Sequence, residues 1–255
     1  MNTISYWGIF YLALLIVPTL YINYLLDIQM NKRIVISVVR MIVQLSLVGF
    51  YLQYIFKINN KFLNVLYILI MMFVASISIS NSTKLKQKKL YFPIYMSMII
   101  PNLFMVFFFN FVVIRLNNIF DARYIITIGG MLLGNVLSGD IVGVNSFFKD
   151  IEENKNVINY DLSLGATLLQ AIKPYIKNAL TASIRPTVSS MATIGLVSLP
   201  GMMTGQILGG SVPFEAIMYQ IAIMIAIYVT RYINILMSII VLNKYIFDKN
   251  NQINC

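Results

Sequence analysis

Three ionisable side chains fall inside long apolar runs of the sequence: Arg40, Asp140 and Arg231. An ionisable group near the centre of a bilayer costs at least about 2.5 kcal/mol, so each needs a partner or a function. Arg40 stands near one end of its run, where a long side chain can snorkel to the headgroups, and Gln44 one turn on gives it a polar neighbour. Asp140 and Arg231 lie deeper. Either they form a structural ion pair, which needs good geometry to offset desolvation, or they face a path taken by a substrate. Leu199–Pro200–Gly201 marks a second site, because proline removes a backbone donor and glycine frees the next residue. Carbonyls freed at such a break can coordinate an ion; an ordinary proline kink is the competing reading. Met202 and Met203 follow it, with thioethers that suit soft metals such as Cu(I), although methionine usually fills space and this chain has 15. Gln206 beyond the break and Asn135, upstream of Asp140, complete the substrate-pathway candidates.

Other chemistry is excluded. The chain has no histidine and no mid-chain cysteine, its one cysteine being Cys255, so no dedicated metal site or His-activated nucleophile is expected. It contains no GxxxxGK[ST] phosphate loop, and its carboxylates are too scattered for a paired acid/base site. The reading is a non-enzyme with no cofactor of its own.

Of the 255 residues 59% are apolar and only 11% charged, with mean hydropathy +0.79. Soluble domains carry about 25% charged residues, so this is an all-α integral membrane protein of one transmembrane domain, residues 1–255. The net charge of +10 reflects topology rather than nucleic-acid binding. No basic residue precedes Lys32, so the start reads as a retained span and not as a cleaved signal.

Seven segments are long enough to cross a core of about 30 Å: Ile4–Tyr24, Ile34–Phe56, Phe62–Ser80, Tyr91–Ile114, Ile125–Phe148, Val188–Leu208 and Ala216–Leu242. Basic residues gather after spans one (Lys32, Arg33), three (Lys84, Lys86, Lys88, Lys89), five (Lys149, Lys155, Lys173, Lys177, Arg185) and seven (Lys244, Lys249). Alternate loops hold fewer: Lys57 and Lys61, then Arg115 and Arg123, then none. Positive-inside bias therefore places the N-terminus outside and the C-terminus in the cytoplasm of a multi-pass cell-membrane protein.

Small residues recur four apart at Gly130, Gly134 and Ser138, with Gly139 and Gly143 on a neighbouring face, and at Gly201, Gly205 and Gly209. Such spacing lets membrane helices approach closely, within the chain or across a dimer seam. The polar stretch after Phe148 continues span five as a helix into the cytoplasm. Gly165 reads as the residue past a helix end, and Thr167 with Gln170 as a capping box that starts the next helix. Leu168, Ile172, Tyr175, Ile176, Ala179 and Leu180 then recur at helical spacing, opposite Gln170, Lys173, Lys177 and Asn178. Pro174 is expected to kink that helix or stop it early. The result is a cytoplasmic hairpin over residues 149–187.

LSLGAT at Leu162–Thr167, the basic amphipathic helix after it and IRPTVSSMATIGLVSLPGMMTGQI resemble the FetB (UPF0014) family of ABC-transporter permeases, which is related to plant aluminium-sensitivity permeases. ISVVRMIVQLSLVGFYLQYIF (Ile36–Phe56), GGMLLGN (Gly129–Asn135) and EAIMYQ (Glu215–Gln220) are also similar. The resemblance implies that Leu162, Ser163, Leu164, Gly165, Ala166 and Thr167 form a coupling helix that docks on a separate ATPase subunit, where ATP and Mg would be bound. It also implies a homodimer of permeases and export by alternating access. Iron is the substrate suggested for bacterial relatives, and nucleotide sugar (UDP-glucose) for plant ones. An ATP-independent secondary transporter, with its site near Pro200, is the rival reading. A non-transporting membrane anchor is disfavoured by the short external loops.

Overall fold

The computed structural model describes residues 5–83 and 90–247. Ile4, Lys84, Lys86, Lys88, Lys89, Lys249 and Cys255 lie outside the described residues. All described regular structure is helical: α1 Tyr6–Leu14, α2 Ile16–Leu25, α3 Asn31–Ile58, α4 Lys61–Ser82, α5 Tyr91–Phe108, α6 Ala122–Glu153, α7 Lys155–Ser163, α8 Leu168–Thr193, α9 Gly201–Leu208 and α10 Pro213–Ile246. A π-helical turn, Phe109–Val113, follows α5. The chain divides into two compact units, one ending at Ile58 and one starting at Asn59.

In the first unit Ser5 caps α1, its side chain accepting from the Trp7 amide. The Asn31 side-chain amide donates to the Leu20 carbonyl at 3.0 Å, tying the start of α3 to α2. Arg40 and Gln44 lie exposed on α3.

The second unit packs α6 at its centre against α4, α8 and α10, while α5 lies against α4 and α10. Helical periodicity supplies the buried faces, as in Ile68, Met72, Ala75 and Ile79 on α4 and Leu132, Val136, Gly143 and Phe147 on α6. Two of the small residues set the approach distances. A Cβ at Gly139 would fall on Arg231 Nε, and one at Gly143 would lie 2.6 Å from Ile235 Cδ1 and 3.1 Å from Ser183 Cβ. These contacts run Gly139 beside Arg231 and Gly143 beside Ile235, so α6 and α10 are parallel. For Gly139 and Gly143, intrachain packing is the reading that holds. A Cβ at Gly134 would meet nothing within 4 Å.

Among the described residues six helical segments are long and apolar enough to span a membrane, α1 with α2, α3, α4, α5 with its π turn, α6 and α10. They coincide with six of the seven expected segments. The seventh, Val188–Leu208, is not one helix: α8 ends at Thr193 and α9 begins at Gly201. Gly195 there takes φ +86°, a left-handed conformation that glycine adopts without steric penalty, and Pro200 caps α9 in an extended conformation. Pro174, by contrast, does not stop its helix. α8 continues through Pro174 and Pro186, with Ala171, Ile172 and Ala179 buried along it, apolar burial that offsets the lost backbone bonds. The helix after Phe148 extends as expected to Glu153, but Asn154 interrupts it before α7.

We predict that Gly139→Ala lowers stability by about 1–3 kcal/mol through overpacking against Arg231. Gly134→Ala should stay within about 0.5 kcal/mol of the parent. Thermal unfolding in detergent checks both, and equal loss at the two positions would refute the packing account.

Candidate functional site

The hairpin is built by local rules. At the end of α7 the Gly165 amide donates to the Leu162 carbonyl and the Ala166 amide to the Asp161 carbonyl, both at 3.1 Å. With Gly165 at φ +92° this is a Schellman termination. One residue later the Thr167 amide donates to Gln170 Oε1 at 2.8 Å and the Gln170 amide to Thr167 Oγ1 at 3.4 Å, completing the capping box. The Asn178 side chain donates to Asp150 Oδ2 at 3.0 Å, pinning α8 to α6. Burial first, then the Asp161 and Asp150 carboxylates, push the Tyr175 hydroxyl above its ordinary range. The turn itself is turned outward: Leu164 is 69% exposed, Ser163, Gly165 and Thr167 are exposed, and Leu162 and Ala166 are half-buried. Tyr160 and Leu169 also stand exposed.

A second constellation lies inside the bundle. Asp140 on α6 is fully buried, and its Oδ2 accepts from Asn234 Nδ2 at 2.6 Å and from Ser238 Oγ at 2.9 Å, both on α10. The network extends to α5, where Ser97 Oγ lies 3.0 Å from Ser238 Oγ and Asn102 Nδ2 donates to Asn234 Oδ1 at 3.2 Å. Arg231 lies beside it against Gly139 but donates from Nη1 to Thr187 Oγ1 of α8 at 2.7 Å. Asp140 and Arg231 are thus brought to one junction without an ion pair between them; Asp140 bonds to Asn234 and Ser238, and Arg231 to Thr187. Asp140 Oδ1 and Arg231 Nε are both buried without a hydrogen bond. In this conformation Asp140 holds helices together.

The third constellation is the break. The Gly139, Gly143 and Arg231 contacts make α8 antiparallel to α6 and α10. From Thr187 to Ile194 α8 rises about 10 Å, whereas α10 extends about 27 Å from Arg231 back to Pro213. The helix therefore stops well inside the length of the bundle. Over residues 194–200 short turns replace the helical ladder, with the Gly195 amide donating to the Ser198 carbonyl at 3.0 Å and the Val197 amide to the Thr193 carbonyl at 3.0 Å. Leu196 and Val197 are 90% and 81% exposed. Irregular backbone at membrane depth persists only where protein covers it or water reaches it. Of the candidates here Met203 is buried, Pro200, Met202 and Gln206 are half-buried, and Gly201 is exposed; Gln206 Oε1 has no hydrogen-bond partner. Asn135 is half-buried on α6 and bonds back to the Met131 carbonyl at 2.9 Å. Among the described residues no group of three or more Asp, Glu, His or Cys side chains is placed to hold a metal.

Residues 6–247 match the family model described as Uncharacterised protein family (UPF0014). The chain belongs to this family. It is 30% identical over 94% of its length to a protein of Escherichia coli named "Probable iron export permease protein FetB", covering 91% of that protein. It is 35% identical over 80% of its length to Protein ALUMINUM SENSITIVE 3 of Arabidopsis thaliana, covering 73% of it. It is also 33% identical over 76% of its length to UPF0014 membrane protein YjkA of Bacillus subtilis, covering 76% of that protein. No solved structure matches the chain. Membership in UPF0014, with six apolar helices among the described residues, makes this a multi-pass membrane protein.

The sequence reading missed Ser97, Asn102, Thr187, Asn234 and Ser238. One signal was present: Arg231, Asn234 and Ser238 recur at i, i+3 and i+7, a polar stripe on one face of α10.

We predict that cysteines introduced as Leu196→Cys and Val197→Cys react with a small membrane-impermeant thiol reagent, as residues of a wetted path do. Phe104→Cys on the exposed face of α5 should stay unreactive. Silence at all three positions would mean that protein, not water, covers the break.

Proposed function

We propose that this chain is the membrane subunit of an ABC exporter, in which two copies pair with two copies of a separate ATPase. What carries the reading is the exposed, rigidly capped turn Leu162–Thr167, which offers Leu164 and its neighbours Tyr160 and Leu169 as apolar contacts. Outside the apolar spans, such side chains mark a docking surface. Closure of the ATPase pair on ATP would push this turn, and α8, continuous for 26 residues from the turn to the break, would carry the push into the bilayer. Alternating access follows if that displacement changes what residues 194–200 face. The name of the Escherichia coli relative suggests iron as the substrate, and nucleotide sugar (UDP-glucose) is the alternative for the same architecture.

The discontinuity between α8 and α9 favours one rival, a secondary transporter with an ion site at the break. Transport into sealed vesicles with and without the partner ATPase separates the two. Dependence on an ion gradient with indifference to ATP would select the rival.

Two outcomes are expected for the hairpin. Gly165→Val forces a β-branched residue into a left-handed position and should abolish ATP-driven transport while membrane insertion is retained. Leu164→Asp should weaken ATPase binding about tenfold or more, the scale of losing a buried interface anchor. Normal coupling in the glycine variant, or labelling of Lys173 from outside intact cells, would contradict the proposal.

A further inference from the structure

The buried junction of α6, α8 and α10 holds two charged residues, each with one side-chain polar atom left without a partner, and the proposed transport path does not use them. Asp140 receives both of its hydrogen bonds from α10, from Asn234 and Ser238 one turn apart. That arrangement locks α6 to α10. Arg231 also stands on α10, but it donates outward, from Nη1 to Thr187 Oγ1 of α8. So α8 is held to the locked pair through one charge-assisted bond at this level. Ser183, one turn before Thr187, is buried with its hydroxyl unbonded and adds no second tie.

The geometry points to Arg231 as a two-position coupling residue. In the conformation described it holds Thr187; when α8 is displaced it turns to Asp140 and satisfies the free Oδ1. Three observations support the exchange. Arg231 Nε, Cζ and Cδ lie against Gly139, the residue next to Asp140, in a space that a Cβ at 139 would enter. Arg231 Nε is buried without an acceptor and Asp140 Oδ1 without a donor, so each has an unused bonding position. Arginine presents its donors as a rigid fork matched to a carboxylate, which is why it can exchange a hydroxyl for a carboxylate with a modest turn of its side chain. Helix shifts of about 1–2 Å are enough to repack such a contact. Asp140 remains bonded to Asn234 and Ser238 throughout, so α6 and α10 stay fixed while α8 has two defined positions instead of a continuum. Arg231 and Thr187 are thus positioning residues. The inference rests on reading α8 as the moving arm, but it concerns the permease alone.

The test is made without any ATPase, so failure of the partner assignment leaves it untouched. The full chain, with Cys255→Ser, carries nitroxide labels at Ser190→Cys on α8 and Ile70→Cys on α4, both exposed sites, and is reconstituted in lipid nanodiscs. The distance distribution between the labels is then measured. Thr187→Val keeps the shape of the side chain and removes its hydroxyl; it should shift the population about tenfold toward a second distance, the scale of losing a hydrogen bond to a charged group. Thr187→Ser should leave the parental distribution. Adding Asp140→Asn to Thr187→Val removes the charged alternative and should return the population toward the parental distance. An unchanged distribution in Thr187→Val overturns the proposal, as does a double variant that shifts further in the same direction.

Discussion

In hydrocarbon a polar group has no solvent to fall back on, and the second unit of this protein is arranged around that constraint. Asp140 is the focus. Its carboxylate, fully buried, would be intolerable without the amide of Asn234 and the hydroxyl of Ser238. Those two groups in turn engage Asn102 and Ser97 on α5. Lipid gives helices little hydrophobic reason to associate, so close packing and interhelical hydrogen bonds must do it. Gly139 and Gly143 supply the first and the Asp140 network the second, on the same two turns of α6. The polar residues and the glycines therefore depend on each other: without the glycines α10 could not approach, and without α10 the carboxylate would be bare.

The same accounting separates the helices by how firmly they are held. α5, α6 and α10 share a continuous set of buried polar bonds. α8 joins them by packing along Ala171, Ile172 and Ala179, by the Asn178–Asp150 bond near the hairpin, and by the Arg231–Thr187 bond deeper in. Its outer face carries Ser190 and Thr193, whose hydroxyls bond back to the Pro186 and Ser189 carbonyls of their own helix. Hydroxyls satisfied in this way commit α8 to no neighbour. An element with a stiff end, a continuous shaft and few fixed polar ties is suited to move against helices that a shared polar network joins.

What was legible in the sequence follows from which interactions are local. The hairpin was readable residue by residue because a Schellman turn at Gly165 and a capping box at Thr167 and Gln170 are fixed by a few adjacent side chains. The spans were readable because hydropathy over about twenty residues is a strong signal. Val188–Leu208 misled for the same reason: Leu196, Val197 and Leu199 are apolar enough to keep the average high across a segment that is not helical. Pro174 misled in the opposite sense, since a single breaker did not end a helix whose buried face runs on past it. The partners of Asp140 and Arg231 were not readable, because a lone serine or asparagine in an apolar run does not say which helix it faces. Only the spacing Arg231–Asn234–Ser238 carried part of that information.

The position of the break relative to the junction adds a further constraint. α8 passes Thr187 and ends about two turns later, so the bond that fixes the helix and the point where the helix fails lie close together on one rigid segment. A displacement that keeps Thr187 in place can only pivot the final turns, whereas one that releases it can carry them bodily. Residues 194–200, outside any helical ladder, need either a covering surface or water around their backbone at membrane depth, so the two kinds of movement present the break to different surroundings. Coupling between the hairpin at Gly165 and the break would require no contact between them, only a helix stiff enough over its 26 residues that the bond at Thr187 sets the position of its far end.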